Sequence, residues 1–415
     1  MSLTTGPLDL DFVRGQFPAF AEPTLRDQAF FENAGGSYAC GPVIRRLEEY
    51  YRRLKVQPYY AFPASTEAGE WMDAARERLA EYLGVTAPEV HFGPSTSQNT
   101  YVLAQAFRAL LVPGDEVIVT NQDHEANSGQ WRRLAGYGCV VKEWTVDRGS
   151  GRLDPAQLES LLTERTRLVT FPQASNVVGH INPVARLAAL ARAAGALTVV
   201  DGVSGAPHGL PDVRELKADI YLFSLYKTFG PHQGVMVLRE ELAQRLGNEG
   251  HYFNAAATGK RLVPAGPDHA QVAAARGIAE YFDALAAHHG VKSAEARAAR
   301  VRELLRSAEI PLLAKLLEYL KGRRDVRLLG PALAGERMAT VSFVSDRIEP
   351  AEILKRLARR GFMVGAGNFY AVRLLSAMGV DPERGAVRLS FVHYTSPEEI
   401  DGLIEALDRV LAQAG

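Results

Sequence analysis

Nine lysines occur in the 415-residue chain, and one of them, Lys227, closes an apolar strand-like run. It stands in DIYLFSLYKTFGPHQG, residues 219–234, where the run gives way to a loop rich in Gly, Pro and His. Apolar surroundings disfavour the charged ammonium and lower a lysine's pKa. A neutral amine of this kind attacks aldehydes and forms a Schiff base. Most of the other eight lysines lie in helical patterns bracketed by Arg or Glu. A solvated turn lysine is the competing reading of Lys227.

Four further stretches carry matching chemistry. Asp201, in TVVDGVSGAPHG, ends a fully apolar strand pattern. Ligands of parallel sheets bind beyond the carboxyl ends of the strands, so a carboxylate there is placed to hold a cation or a protonated ring nitrogen; capping a loop is its other reading. The 26 positions from Asp201 to Lys227 suffice for a loop, a short helix and a return strand, which puts both at one sheet edge. In FGPSTSQNTYVLAQAF, Thr96 and Ser97 lie in a turn that runs straight into a helix, and helix N-termini bind phosphate. His124, in NQDHEANSGQ, is placed to stack on a planar ligand or shuttle a proton. No HExxH or second His or Cys stands at ligand spacing, so no metal site is read. Asn176, in FPQASNVVGHINP, follows a strand and can hydrogen-bond a phenolic oxygen. Aldehyde, ring nitrogen, planar ring, phenolic oxygen and phosphate occur together in pyridoxal 5′-phosphate (PLP), whose chemistry the protein would orient and tune.

These residues need a frame. Short apolar runs at 115–120, 167–172, 196–201, 219–224 and 234–239 alternate with helical patterns, which predicts an α/β domain with a mainly parallel sheet. Asp154 and Asn182 each precede a proline, a helix-start pattern. LDLDFVRGQF near the N-terminus reads as a short amphipathic helix. Two long Ala- and Arg-rich helices are expected near 268–289 and 292–322, followed by a smaller α+β arrangement. The predicted domains are a large one over 20–265 and a small one over 1–19 plus 266–415.

Bulk properties narrow the classes. Hydrophobic residues make up 47% and charged residues 23%, as in soluble globular proteins. A net charge of -1 gives no electrostatic pull toward nucleic acid or anionic membrane. No long uncharged apolar run or secretory leader is read, and two cysteines exclude a disulfide framework. A cytoplasmic protein is expected.

The ordered set FFENAGG, PSTS, DHEAN, ASNVVGHINP, VVDGVSGAPHG and FSLYKTFGP resembles the class V aminotransferases, in particular the cysteine desulfurase and selenocysteine lyase-like branch. The resemblance spans roughly residues 10–412. It implies PLP-dependent fold type I, with a large domain, a small C-terminal domain and a homodimeric assembly. Lys227 matches the Schiff-base lysine, Asp201 the acid at the pyridine nitrogen, His124 the ring-stacking histidine and Asn176 the amide near the ring hydroxyl. Thr96, Ser97, Ser224 and Tyr226 match phosphate contacts, Tyr226 standing where many relatives have histidine. Ser204 stands where a glutamine is frequent and is counted with the cofactor contacts. Arg388, in GAVRLSFVHYTS, matches the arginine that clamps the substrate carboxylate; Asn33 and Ala34 of FFENAGG join it on the substrate side.

One segment departs. Desulfurases carry a loop cysteine in an RTGHHC-like stretch, and the matching segment here is GAGNFY, with Gly365 for the arginine and Tyr370 for the cysteine. A persulfide mechanism needs a thiolate, so it is not expected. The expected enzyme acts at the α-carbon of an amino acid through a Lys227 Schiff base, in the manner of class V aminotransferases and cysteine desulfurases, with transamination one of its open outcomes. Direct C–S or C–Se lysis, epimerisation and a non-catalytic PLP-fold protein are the alternatives.

Overall fold

The computed structural model describes residues 7–412; the first six residues, which belong to the stretch read for a leader, and the last three lie outside it. The helix expected from LDLDFVRGQF is α1 (Leu10–Gly15), capped by the Asp9 side chain, which accepts from Phe12 N. After the short strand β1 (Ala29–Phe30) come two helices, α2 (Gly41–Arg53) and α3 (Pro63–Leu83). Next are β2 (Val90–Gly93) and α4 (Thr96–Phe107), then β3 (Glu116–Thr120) and α5 (Glu125–Arg132). The strands β4 (Val140–Trp144), β5 (Thr166–Pro172), β6 (Leu197–Asp201), β7 (Ile220–Ser224) and β8 (Gly234–Leu238) follow.

β2 to β8 form one sheet in the order β2-β8-β7-β6-β5-β3-β4. The five strands β3 to β7 are parallel, and β7 and β8 are buried at every residue. A strand covered on both faces must be apolar throughout, which is why these segments read as continuous runs rather than alternating ones. β8 is antiparallel to both β7 and β2. The cause is the short connection after Ser224: a parallel return needs a crossover of a dozen or more residues, and residues 225–233 are too few.

Two local expectations change. Asp154 does cap a helix, accepting from Ala156 N. Asn182 does not: its helix starts at Val184, and its amide instead donates to Pro172 O and Gln122 Oε1, tying the end of β5 to the neighbouring loop. The helix expected near 268–289 is two segments, His269–Ala274 and Arg276–His288, packed on α2 and α3.

C-terminal to these lie the helix Ala294–Gly322 and an antiparallel sheet. Its strands are β9 (Val326–Leu329), β10 (Thr340–Ser345), β12 (Gly365–Gly367) and β13 (Ala386–Ser390), in the order β12-β13-β10-β9. β11 (Phe362–Met363) pairs in parallel with β1, and a bridge joins Glu32 to Ser390. The N-terminal segment is thereby stitched to the C-terminal sheet. Leu313, Leu316 and Leu320 of the long helix pack with Leu403 and Leu407 of the last one, Pro397–Ala412.

Candidate active site

The carboxyl ends of the parallel strands converge on a cavity of about 270 Å³. β6 delivers Asp201 and β7 delivers Ser224; register across the pair aligns Asp201 with Leu222, so both chains turn at one level. A single turn Leu225–Lys227 then swings the lysine into the cavity wall, where it is 8% exposed. The N-terminal segment braces this turn: Ser37 Oγ donates to Lys227 O at 2.7 Å and Ser37 N to Tyr226 O at 3.0 Å. Thr96, Ser97, His124, Asn176, Asp201, Ser204, Ser224, Tyr226 and Lys227 all line the cavity, so the nine cofactor positions read from sequence meet in one place.

The turn entering α4 is held by Ser95, whose hydroxyl accepts from Gln98 N. Thr96 Oγ1 and Ser224 Oγ lie 2.7 Å apart, forming a hydroxyl pair at the start of a twelve-residue helix. Gly234 lets the sheet approach this turn: a Cβ there would sit 2.3 Å from Ser95 C and 2.5 Å from Thr96 N. Gly234→Ala is therefore expected to push the turn off the cavity and weaken PLP binding by about tenfold or more, a loss of one charge-assisted hydrogen bond or its equivalent. Equilibrium titration of the apoprotein with PLP measures it.

His124 caps α5 by accepting from Ala126 N at Nδ1, 3.0 Å, and it also lines the cavity. Burial, helped by the charges of Lys227 and Arg388, lowers its pKa to about 4. A neutral ring with Nδ1 accepting carries its proton at Nε2. Burial raises Asp201 to about 6, against a hydrogen bond from Val203 N and the charge of Lys227. Burial lowers Lys227 to about 8, with Arg388 adding to the effect and Asp201 opposing it. For both groups burial outweighs the opposing charges nearby. A pyridinium would give Asp201 a further counter-charge and an aldehyde would capture the neutral amine of Lys227, so the donor set fits PLP.

The C-terminal sheet carries Arg388, the residue expected on the substrate side. Arg388 on β13 is 4% exposed. Its Nη1 donates to Asn176 O at 3.2 Å and its Nη2 to Glu32 Oε1 at 2.5 Å. The Phe369 ring covers the guanidinium, with Cζ 4.0 Å from the ring centroid. Asn176 Nδ2 donates to Phe369 O at 2.9 Å while its Oδ1 is buried without a partner among the described residues. Phe369 and Tyr370 have φ of +53° and +56°, a left-handed pair that costs roughly 1–2 kcal/mol per residue. The bonds from Asn176 and from Glu125 N to Tyr370 O, 2.8 Å, hold it in place. The Tyr370 ring lies 5.2 Å from that of His124.

Asn33 and Ala34 reach a smaller neighbouring cavity that Lys227 and Ser204 also line. The polar atoms of Asn33 are engaged: Nδ2 donates to Phe30 O and Ser390 O, and Oδ1 accepts from Tyr394. Its part is to position the segment, as Ala34 N does by donating to Ser390 Oγ at 2.9 Å.

The family model for aminotransferase class V matches residues 29–403. The chain belongs to the class V aminotransferase family. Among curated relatives of this class V chain, an aminotransferase-like protein, FGM3, of Gibberella zeae is 34% identical over 99% of this chain and 100% of its own length. A cysteine desulfurase of Pectobacterium carotovorum is 30% identical over 97% of this chain and 98% of its own. In fold, the chain resembles an apo cysteine desulfurase from Thermococcus onnurineus, with a TM-score of 0.84, 22% identity and 99% of each chain covered. Class V enzymes are PLP-dependent, and the α/β fold with its mainly parallel sheet is that of PLP fold type I.

Reading the sequence missed His232, Glu32 and Phe369. His232 stacks on Tyr226 at 4.8 Å, nearly parallel, and lines the cavity. It was visible in the loop after Lys227, unlike the reach of Glu32 to a strand 356 positions away. Both cysteines are free and buried, and Cys40 is raised to about 12 by burial, far from a thiolate at neutral pH.

Proposed function

We propose that this class V chain is a PLP enzyme that activates the α-carbon of an amino acid or a close derivative, with amine transfer as its reaction. The convergence of Lys227 and Asp201 at adjacent strand ends, both buried and both shifted against their charged forms, carries this reading. When bound, PLP supplies an aldehyde that captures amines and a ring that withdraws electrons from the amine-bearing carbon.

The chain's own groups divide the work. Lys227, once free, takes the α-proton as general base. Asp201 holds the ring nitrogen in its protonated form. His124 fixes the ring plane as a neutral imidazole. Thr96, Ser97 and Ser224 hold the phosphate with the first turn of α4. Asn176, whose Oδ1 has no partner among the described residues, would accept from the ring hydroxyl. Tyr370, in place of a cysteine, offers no nucleophile for sulfur, which favours amine transfer over persulfide chemistry. A cytoplasmic homodimer completes the reading, supported by the free cysteines and by Tyr252 and Phe253, adjacent aromatics that are 88% and 68% exposed in a single subunit.

The test is PLP uptake by the apoprotein, followed by visible absorbance across pH. The amine captures an aldehyde only when neutral, and its neutral fraction grows as pH rises. The uptake rate is expected to climb through a midpoint near 8, the value to which burial lowers Lys227. A midpoint at the ordinary 10.5 contradicts the buried-lysine assignment, and a protein that never colours contradicts the function.

A further inference from the structure

Arg388 is not free to receive a substrate carboxylate. Glu32 already balances its charge, Asn176 O takes a second N–H, and Phe369 covers the guanidinium. The arrangement is built in, because two strands and a bridged residue contribute to it. β12 pairs Gly365 directly with Arg388 on β13, and the bridge to Ser390 sets Glu32 alongside. Gly365 supplies the space: a Cβ there would stand 2.6 Å from Glu32 Oε2, and one at Gly35 2.8 Å from Glu32 Oε1. The missing side chain at position 365 is what admits the acid.

Two buried polar atoms of this ion pair have no partner among the described residues: Arg388 Nε, a donor, and Glu32 Oε2, an acceptor. A carboxylate brings acceptors and a negative charge, so it satisfies the first atom and repels the second. A primary carboxamide brings one acceptor and one donor and no charge, and so can satisfy both.

We infer that this site selects an amino compound whose amine-bearing carbon carries a neutral carboxamide in place of a free carboxylate, with Glu32 as the residue that sets the choice. The inference rests on the PLP reading above and narrows its substrate class. No bond is made or broken by Glu32; it acts by excluding anions and accepting the amide N–H.

Calorimetric titration of the PLP-loaded protein with matched pairs of amino acids and their amides (alanine, serine, leucine and phenylalanine, each with its amide) tests it. The amide-to-acid affinity ratio is compared between proteins, so the differing basicities of the amines cancel. Glu32→Gln removes the charge and keeps a side chain of the same size. Gly365→Ala leaves Glu32 in the chain but forces its carboxylate, 2.6 Å from the new Cβ, out of its present seat, which guards against a folding defect in the first variant. In each, the ratio is expected to move toward the acids by about tenfold or more, the worth of a charge-assisted hydrogen bond. Wild type that binds the acids more tightly than the amides overturns the inference, as do unchanged ratios in both variants. Protein that takes up no PLP overturns the reading beneath it as well, which separates the two failures.

Discussion

Lys227→Ala protein is expected to lose the visible absorbance of lysine-bound PLP and to slow α-proton exchange by about 10³-fold or more, since one group serves both as aldehyde anchor and as general base. Exchange of substrate α-hydrogen for solvent deuterium, followed by NMR, reads the base directly and needs no knowledge of the final product. None of the other eight lysines was found among the residues lining the cavity, so there is no understudy. The variant should fold, because the native amine is already desolvated and lowered to about 8, and its removal relieves a buried charge. Undiminished exchange in this variant would place the base elsewhere.

Asp201→Asn is the second large effect. A neutral amide cannot hold a ring nitrogen in its protonated form, so the ring no longer draws electrons from the α-carbon. Exchange is expected to fall by about 10²–10³-fold, the scale of losing one preorganised electrostatic contact. Asp201 sits near 6 in the unloaded protein because burial outweighs its hydrogen bond from Val203 N. A ring cation binds its ionised form, so wild-type affinity for PLP should weaken as pH falls below about 6. Asn has no proton to gain, and the variant should lack that limb. A wild-type affinity that stays flat across this range would dissociate Asp201 from the ring.

The cofactor side of the site was legible because it is local. Asp201 and Lys227 each follow an apolar run, and parallel strands leave their following residues at the ligand edge whatever the rest of the chain does. His124 shows the limit of that logic: it is a helix cap and a cavity residue at once, and the sequence offered these as rivals. The reversal of β8 followed from loop length, which could have been counted. Asn182 misled because Asn before Pro suits a cap, yet a buried carbonyl of Pro172 competed for its amide and won. The substrate side was not legible. Gly365 showed that a positive charge had gone, but what filled the space comes from Glu32, on a segment far off in the chain, and only the sheet register brings them together.

That long separation has a consequence in time. The residues that line the main cavity all fall between positions 95 and 232 and leave the ribosome early. Arg388 emerges last and must then find Glu32, made near the beginning. Closing so long a loop is entropically costly and comes late in assembly. The nascent chain therefore carries every residue that lines the main cavity before it carries Arg388, the partner of Glu32.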